Sequence, residues 1–188
     1  MVDESVTVKG SPVRSLQKFI QTELTQAQQD EMFRRLPADY ANRFRQPILA
    51  TETVPLHMLN RFTEEAARAK GEPLEEFARR AGRDAAGDAV KGIYRFFVLV
   101  LTPTALLSKA SHMWSALYNR GEMRVDEQSQ TSAVIRIVDF PGEPAGCSRV
   151  TGWIERMAEL TGVKDIRVEQ TRCFARGDAY CEWKATWK

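Results

Sequence analysis

Hydrophobic positions recur along this chain with two different periods, and the change from one to the other falls near Tyr118. Up to that point the spacing is helical. Leu16, Phe19, Ile20 and Leu24 share one helical face, and Thr25 stands where a cap would open a second helix through Leu36. Pro37 and Pro47 punctuate the connection that follows. Thr53-Val54-Pro55 then opens a helix with a stripe of Leu59, Phe62, Ala66 and Ala69, closed by Gly71. The next helix starts near Pro73 and extends to Leu101, with Leu74, Phe77, Ala78 and Ala81 as its first buried face. Gly82, Gly87 and Gly92 lie inside it, each costing roughly 1 kcal/mol of helix propensity relative to alanine. Such glycines predict either the close approach of another backbone or a break near Gly92. A phosphate loop would need a Lys-Ser/Thr ending that is absent here. Thr102-Pro103 supplies a cap and a first-turn proline for a further helix, which buries Leu106, Leu107, Ala110, Met113, Trp114 and Leu117.

Beyond Tyr118 the period becomes two. Met123 and Val125 mark a short strand, Gln128-Ser129-Gln130 a turn, and Ala133 to Phe140 a strong strand, together an antiparallel hairpin. From Pro144 a helix carries Cys147, Val150, Trp153, Ile154, Met157 and Leu160 on the face that lies on the sheet, and Gly162 stops it. Ile166, Val168 and Gln170 point to one face of a third strand, and Cys181, Trp183, Ala185 and Trp187 to one face of a fourth. The expected fold class is α+β. A helical half (1–118) packs on a four-stranded antiparallel sheet of ββαββ order (119–188), within one domain spanning 1–188.

Composition narrows the function more by exclusion than by assignment. The chain has 188 residues, 27 Lys+Arg against 25 Asp+Glu, and 43% hydrophobic residues. These values exclude disorder and a disulfide-stapled mini-protein. A net charge of +2, evenly interspersed, predicts neither nucleic-acid binding nor attachment to an anionic membrane. Basic pairs such as Arg34-Arg35 and Arg79-Arg80 read as solvated helix faces. The apolar run from Phe96 to Leu101 is too short for a bilayer span, and the acidic start lacks the apolar core of a secretory signal. The expected location is cytoplasmic, where three cysteines are thiols or metal ligands rather than disulfides.

Those cysteines are the sharpest chemical feature. Cys173 and Cys181 flank an Arg176-Gly177-Asp178 turn that joins two strands, which brings their sulfurs together. Cys147 lies at the sheet-facing start of the preceding helix. Three thiolates with one more donor, Gln170 or Glu169, form a tetrahedral zinc set, and three buried thiols without metal are the alternative. His57 and His112 fall on different helices and support neither a nucleophile–base pair nor a haem ligand. Paired acids such as Glu64-Glu65 and Glu75-Glu76 are adjacent on helices and do not face each other. Aromatic residues gather where the halves meet, and Tyr94, Phe97, Met113, Trp114, Tyr118 and Trp153 are the candidate lining of an apolar pocket.

The C-terminal stretch also carries a resemblance. Gly152-Trp153, Gly162, the run Val168 to Cys173, Arg176-Gly177-Asp178 and Cys181-Glu182-Trp183 resemble the signature of the 4-vinyl-reductase-type domain, and more closely a bacterial paralogous family related to it. The likeness continues upstream through Gly92-Ile93-Tyr94-Arg95, Met113-Trp114 and Gly121, and more faintly to Val8-Lys9-Gly10-Ser11. It implies a fold similar to the haem nitric-oxide-binding sensors and to vesicle-tethering subunits. It also implies a small hydrophobic ligand beside a structural zinc held by three Cys and one Glu. Cys147, Cys173 and Cys181 match the three Cys, and Gln170 stands at the Glu position. The Tyr-x-Ser-x-Arg clamp of the haem sensors has no counterpart, so no haem is expected.

The resulting expectation is a non-enzymatic ligand-binding sensor that signals through a separate protein partner and forms a homodimer through its helical half. The alternative is a dimeric interaction module of the tethering-subunit type, without a small ligand.

Overall fold

In a computed structural model the described residues are 5–90 and 102–188. The chain starts with a short strand, β1 (Thr7–Lys9), that pairs antiparallel with β2 (Thr53–Pro55), Thr7 opposite Pro55. Here the structure departs from the sequence reading, in which Thr53-Val54-Pro55 belonged to a helix start. The β-branched Thr53 and Val54 instead find cross-strand partners in Lys9 and Val8, contacts more than forty residues away that local periodicity cannot reveal. Each strand leads directly into a helix, α1 (Gly10–Glu23) and α4 (Leu56–Lys70).

Thr25 caps α2 (Gln26–Arg35) as the sequence suggests, through a reciprocal box. The Gln28 N–H donates to the Thr25 hydroxyl at 3.3 Å, and the Thr25 N–H to the Gln28 carboxamide oxygen at 2.9 Å. The connection after Pro37 contains another helix, α3 (Ala38–Arg45), which buries Ala41 and Phe44. Its Phe44 ring stacks on Phe62 of α4 at 4.2 Å between centroids. Gly71, in the left-handed region at φ 75°, ends α4 and turns the chain toward α5 (Leu74–Ala89). After residue 101, Thr102 caps the short α6 (Pro103–Leu107), accepting from the Ala105 N–H at 3.2 Å, and α7 (Ala110–Leu117) follows.

Strands β3 (Glu122–Gln128), β4 (Ser132–Val138), β5 (Arg167–Arg172) and β6 (Cys181–Thr186) form an antiparallel sheet in the order β3-β4-β6-β5. Between the two hairpins runs α8 (Pro144–Leu160). The α+β architecture and the ββαββ order stand. Alternate residues Ala133, Ile135 and Ile137 of β4, with Cys181, Trp183 and Ala185 of β6, are buried on the sheet face that α8 covers. The Trp183 indole N–H donates to Thr151 of α8 at 2.8 Å.

On its other side α8 meets α5 at backbone distance. Arg79 binds the nearly buried Glu155, and Arg83 reaches Glu155 at 3.2 Å and Glu159 at 2.8 Å. The helix is thus the middle layer between the helical half and the sheet. One apolar core lies among α1 to α5, around Phe19, Met32, Phe62 and Phe77, and a second lies between α8, α7 and the sheet. Tyr118 packs against both.

Candidate functional site

Where α1, α5, α7 and α8 meet the first strand of the sheet, they leave a cavity of about 380 Å³, within the range of small-molecule sites. Its described wall is mostly apolar: Leu16 from α1, Ala81, Ala85 and Ala89 from α5, Met113, Trp114 and Leu117 from α7, Met123 from β3, and Val150 and Trp153 from α8. Small residues on α5 explain why there is room. Trp114 stacks on Tyr118 at 4.1 Å between centroids and meets Phe140 edge-on at 4.8 Å, which fixes the aromatic wall. Met113, Trp114, Tyr118 and Trp153, expected as lining from the sequence, all face this cavity, whereas Tyr94 and Phe97 lie outside the described residues.

The sequence reading missed the polar part of the wall, formed by Arg14 and Lys18 of α1, Asp88 of α5 and Arg149 of α8. Lys18 and Asp88 approach to 3.9 Å. Arg149 donates to Thr63 Oγ1 and to Asn60 Oδ1, both at 2.6 Å, and so ties α8 to α4. Burial pulls its guanidinium below the ordinary arginine value, against the opposing influence of Tyr118 and Glu143. Burial likewise raises the Tyr118 phenol, which Arg149 counteracts. Arg149 sits three and four residues before Gly152 and Trp153, but that spacing alone does not tell an inward arginine from one at the solvent edge of the helix face.

A second feature adjoins the first. The sulfurs of Cys147, Cys173 and Cys181 lie within 4.8 Å of one another, all three buried. Cys147 is 3.9 Å from Cys173 and 3.6 Å from Cys181. Asp178 closes the connecting turn by accepting from the Cys173 N–H at 2.7 Å, Gly177 adopts φ 93°, and the Phe174 N–H points at the Cys181 sulfur at 3.4 Å. The hydrogen bond shared by the Cys147 and Cys181 sulfurs holds Cys181 down to about 6 and pushes Cys147 up, with burial adding to the rise of Cys147. Gln170, whose side-chain N–H donates to the Arg172 carbonyl at 3.1 Å, is a neighbour that counteracts the rise of the Cys147 thiol, while Glu169 is exposed on the other strand face. Gly142 covers the group so closely that a Cβ there would be 2.4 Å from the Cys181 sulfur.

Solved structures of the same shape exist. An H-NOX protein from S. oneidensis in the Fe(II)NO ligation state matches over 96% of this chain and 99% of its own, with TM-score 0.71 and 13% identity. The fold is that of the H-NOX domains. An oxygen-binding H-NOX domain related to soluble guanylate cyclases gives TM-score 0.68 at 12% identity, covering 96% of this chain and 95% of its own. A mutant H-NOX protein from K. algicida, in the Fe(II) unliganded form, gives 0.72 at 10%, covering 96% of both chains. No protein-family model matches the sequence, and no curated protein does.

The H-NOX likeness corrects the expectation of no haem. Proteins of this fold are solved in Fe(II), Fe(II)NO and oxygen-bound forms, so a missing clamp motif does not remove haem from consideration. His112 is exposed on α7 and His57 packs on Tyr40, with ring centroids 5.7 Å apart; neither is on the cavity wall. Met113 and Tyr118 are the described wall residues of kinds that ligate haem iron, and Arg14, Lys18 and Arg149 are the cations able to face its carboxylates.

Proposed function

We propose that this chain is a non-enzymatic small-molecule sensor domain related to the 4-vinyl-reductase type. Its cavity binds the ligand and its thiol cluster holds a structural zinc. The carrying observation is the cavity itself, a preformed apolar chamber bounded by both halves of the fold, with Met113, Trp114, Tyr118 and Trp153 as ligand contacts. Its described wall has no His or Cys, the side chains that most often act as base or nucleophile, which favours binding over catalysis. A ligand touching α1, α5, α7 and α8 together bears on the packing of one half against the other, and that packing is what a separate partner would read.

Zinc fits the cluster on geometry. In a tetrahedral site with Zn–S near 2.3 Å, sulfurs are spaced about 3.8 Å apart. The observed 3.6 and 3.9 Å bracket that value. Cys147, Cys173 and Cys181 would hold the ion with the Gln170 amide as fourth donor, locking the start of α8 to the β5–β6 hairpin.

Among the described residues no helix is long and apolar enough to cross a membrane. Native mass spectrometry on protein freshly purified from cells supplied with a haem precursor tests the sensor reading and reports self-association in the same spectrum. The expected result is one retained small molecule per chain. A Soret band would identify that molecule as haem, its loss in Tyr118→Phe would assign Tyr118 as the iron ligand, and a colourless organic mass would identify another occupant. Protein without any retained mass, whose melting temperature does not respond to hydrophobic ligands, would overturn the reading.

A further inference from the structure

Arg149 differs from the other interhelical arginines. Arg79 and Arg83 bind Glu155, and Arg80 binds Glu72 and Glu23. Each of those charges has its opposite beside it. Arg149 bonds instead to two neutral acceptors, Thr63 Oγ1 and Asn60 Oδ1, themselves buried at 0% and 1% exposure. Glu143 and Glu64 are the nearby acids that could have paired with it, but the Glu143 carboxylate accepts from Asn60 Nδ2 at 2.7 Å and Glu64 lies 3.6 Å from Arg61 instead. Among the described residues no carboxylate lies within ion-pair distance of Arg149.

Withdrawing a guanidinium from water without a counter-charge is costly, and five N–H donors are more than two neutral acceptors use. Arg149 is also one of the residues lining the cavity, where the described charges are Arg14, Lys18 and Arg149 against Asp88 alone. Lys18 and Asp88 offset each other at 3.9 Å. What remains is positive, beside apolar walls that strengthen the field in a half-open cleft.

We infer that the cavity selects an anionic amphiphile, an aromatic or aliphatic carboxylate whose head lies on the Arg149 guanidinium and whose apolar body lies against Trp153, Val150 and Met113. This inference rests on the sensor reading and adds the ligand's chemical class. A guanidinium can meet a carboxylate with two parallel N–H···O bonds, so the head group is both neutralised and oriented. Asn60 and Thr63 then act as positioning residues. They hold the fork from α4 while leaving the charge to the ligand, so ligand binding draws on a side chain that joins α8 to α4.

Calorimetric titration of the full chain with 2-naphthoate and its isosteric neutral amide tests this. Wild type is expected to bind the acid about tenfold or more tightly than the amide, the scale of a hydrogen bond to a charged group. Arg149→Met should erase the preference while keeping affinity for the amide, and Arg149→Lys should retain part of it. Because Arg149 also bridges two helices, the variants are compared only if their circular dichroism matches wild type. The wild-type acid-to-amide ratio decides without them. Equal affinities for both probes would overturn the anionic class and leave the cavity reading intact. A folded Arg149→Met that still prefers the acid would overturn the assignment to Arg149. If neither probe binds and no small molecule is retained from the cell, both readings fall.

Discussion

Gly152→Ala is expected to destabilise the protein by about 5 kcal/mol, a value reserved for the most damaging substitutions. A Cβ at Gly152 would lie 1.9 Å from the Arg79 carbonyl oxygen, and one at Gly82 would lie 2.0 Å from that of Arg149. The contact is reciprocal: each helix offers a glycine to the other's backbone. No side chain is present to move aside, so α5 and α8 must separate. Separation stretches the Arg79 and Arg83 bonds to Glu155, which is 3% exposed, and a buried carboxylate losing its partner costs about 3–5 kcal/mol. For a chain of this length the melting temperature should fall by about 10–20 °C. Gly87→Ala is the control. Nothing lies within 4 Å of a Cβ there, so the substitution should stabilise helix α5 by about 0.5–1 kcal/mol. Thermal melts of the two variants, which differ by the same methyl group, should move in opposite directions. A Gly152→Ala variant melting with wild type would mean that the helices do not meet at backbone distance.

The long amphipathic segments were legible because their buried faces repeat over three or more turns. The glycines of α5 predicted a close backbone, which holds at Gly82 and not at Gly87, while Gly92 lies outside the described residues; the partner was not legible, because nothing local in the sequence pairs residue 82 with residue 149. The short β1, β2 and α3 escaped for the same reason. Thr53 to Pro55 is too short to show a period of two, and Ala41 with Phe44 give α3 a single i, i+3 pair between prolines. The solvated reading of Arg79 was half right. Its side chain is 51% exposed, yet its guanidinium reaches a carboxylate that is almost fully buried.

The apolar wall of the cavity could be read from helical faces, since Met113, Trp114 and Trp153 lie on faces that must be covered. Its charge could not. An arginine within an apolar series looks like a solvent position, and only the tertiary placement of Asn60 and Thr63 shows that Arg149 turns inward. The haem expectation failed for a different reason: it took one motif as the criterion for a cofactor, while the likeness to haem proteins lies in three-dimensional shape at 10–13% identity.

Chelation of the freshly purified protein is expected to lower its melting temperature by about 10 °C, equivalent to about 3–5 kcal/mol for a chain of this size. The sulfurs sit at the spacing of a shared metal and well beyond the roughly 2.05 Å of a disulfide. At 3.6 Å, Cys147 and Cys181 are too far apart for a covalent bond. They also come from separate elements, the start of α8 and the two ends of the β5–β6 connection, so an ion there closes two loops at once. Metal analysis should find about one zinc per chain, and Cys173→Ser should lose both the zinc and the stability it supplies. Gln170→Glu should hold the ion more tightly against the chelator, because a carboxylate is a better zinc ligand than an amide. A packed thiol core predicts the reverse at each step. Chelator would leave the melt unchanged, Cys173→Ser would cost about 1 kcal/mol, and Gln170→Glu would destabilise by placing a carboxylate against buried sulfur. The sign of the Gln170→Glu effect therefore separates a metal centre from three buried thiols.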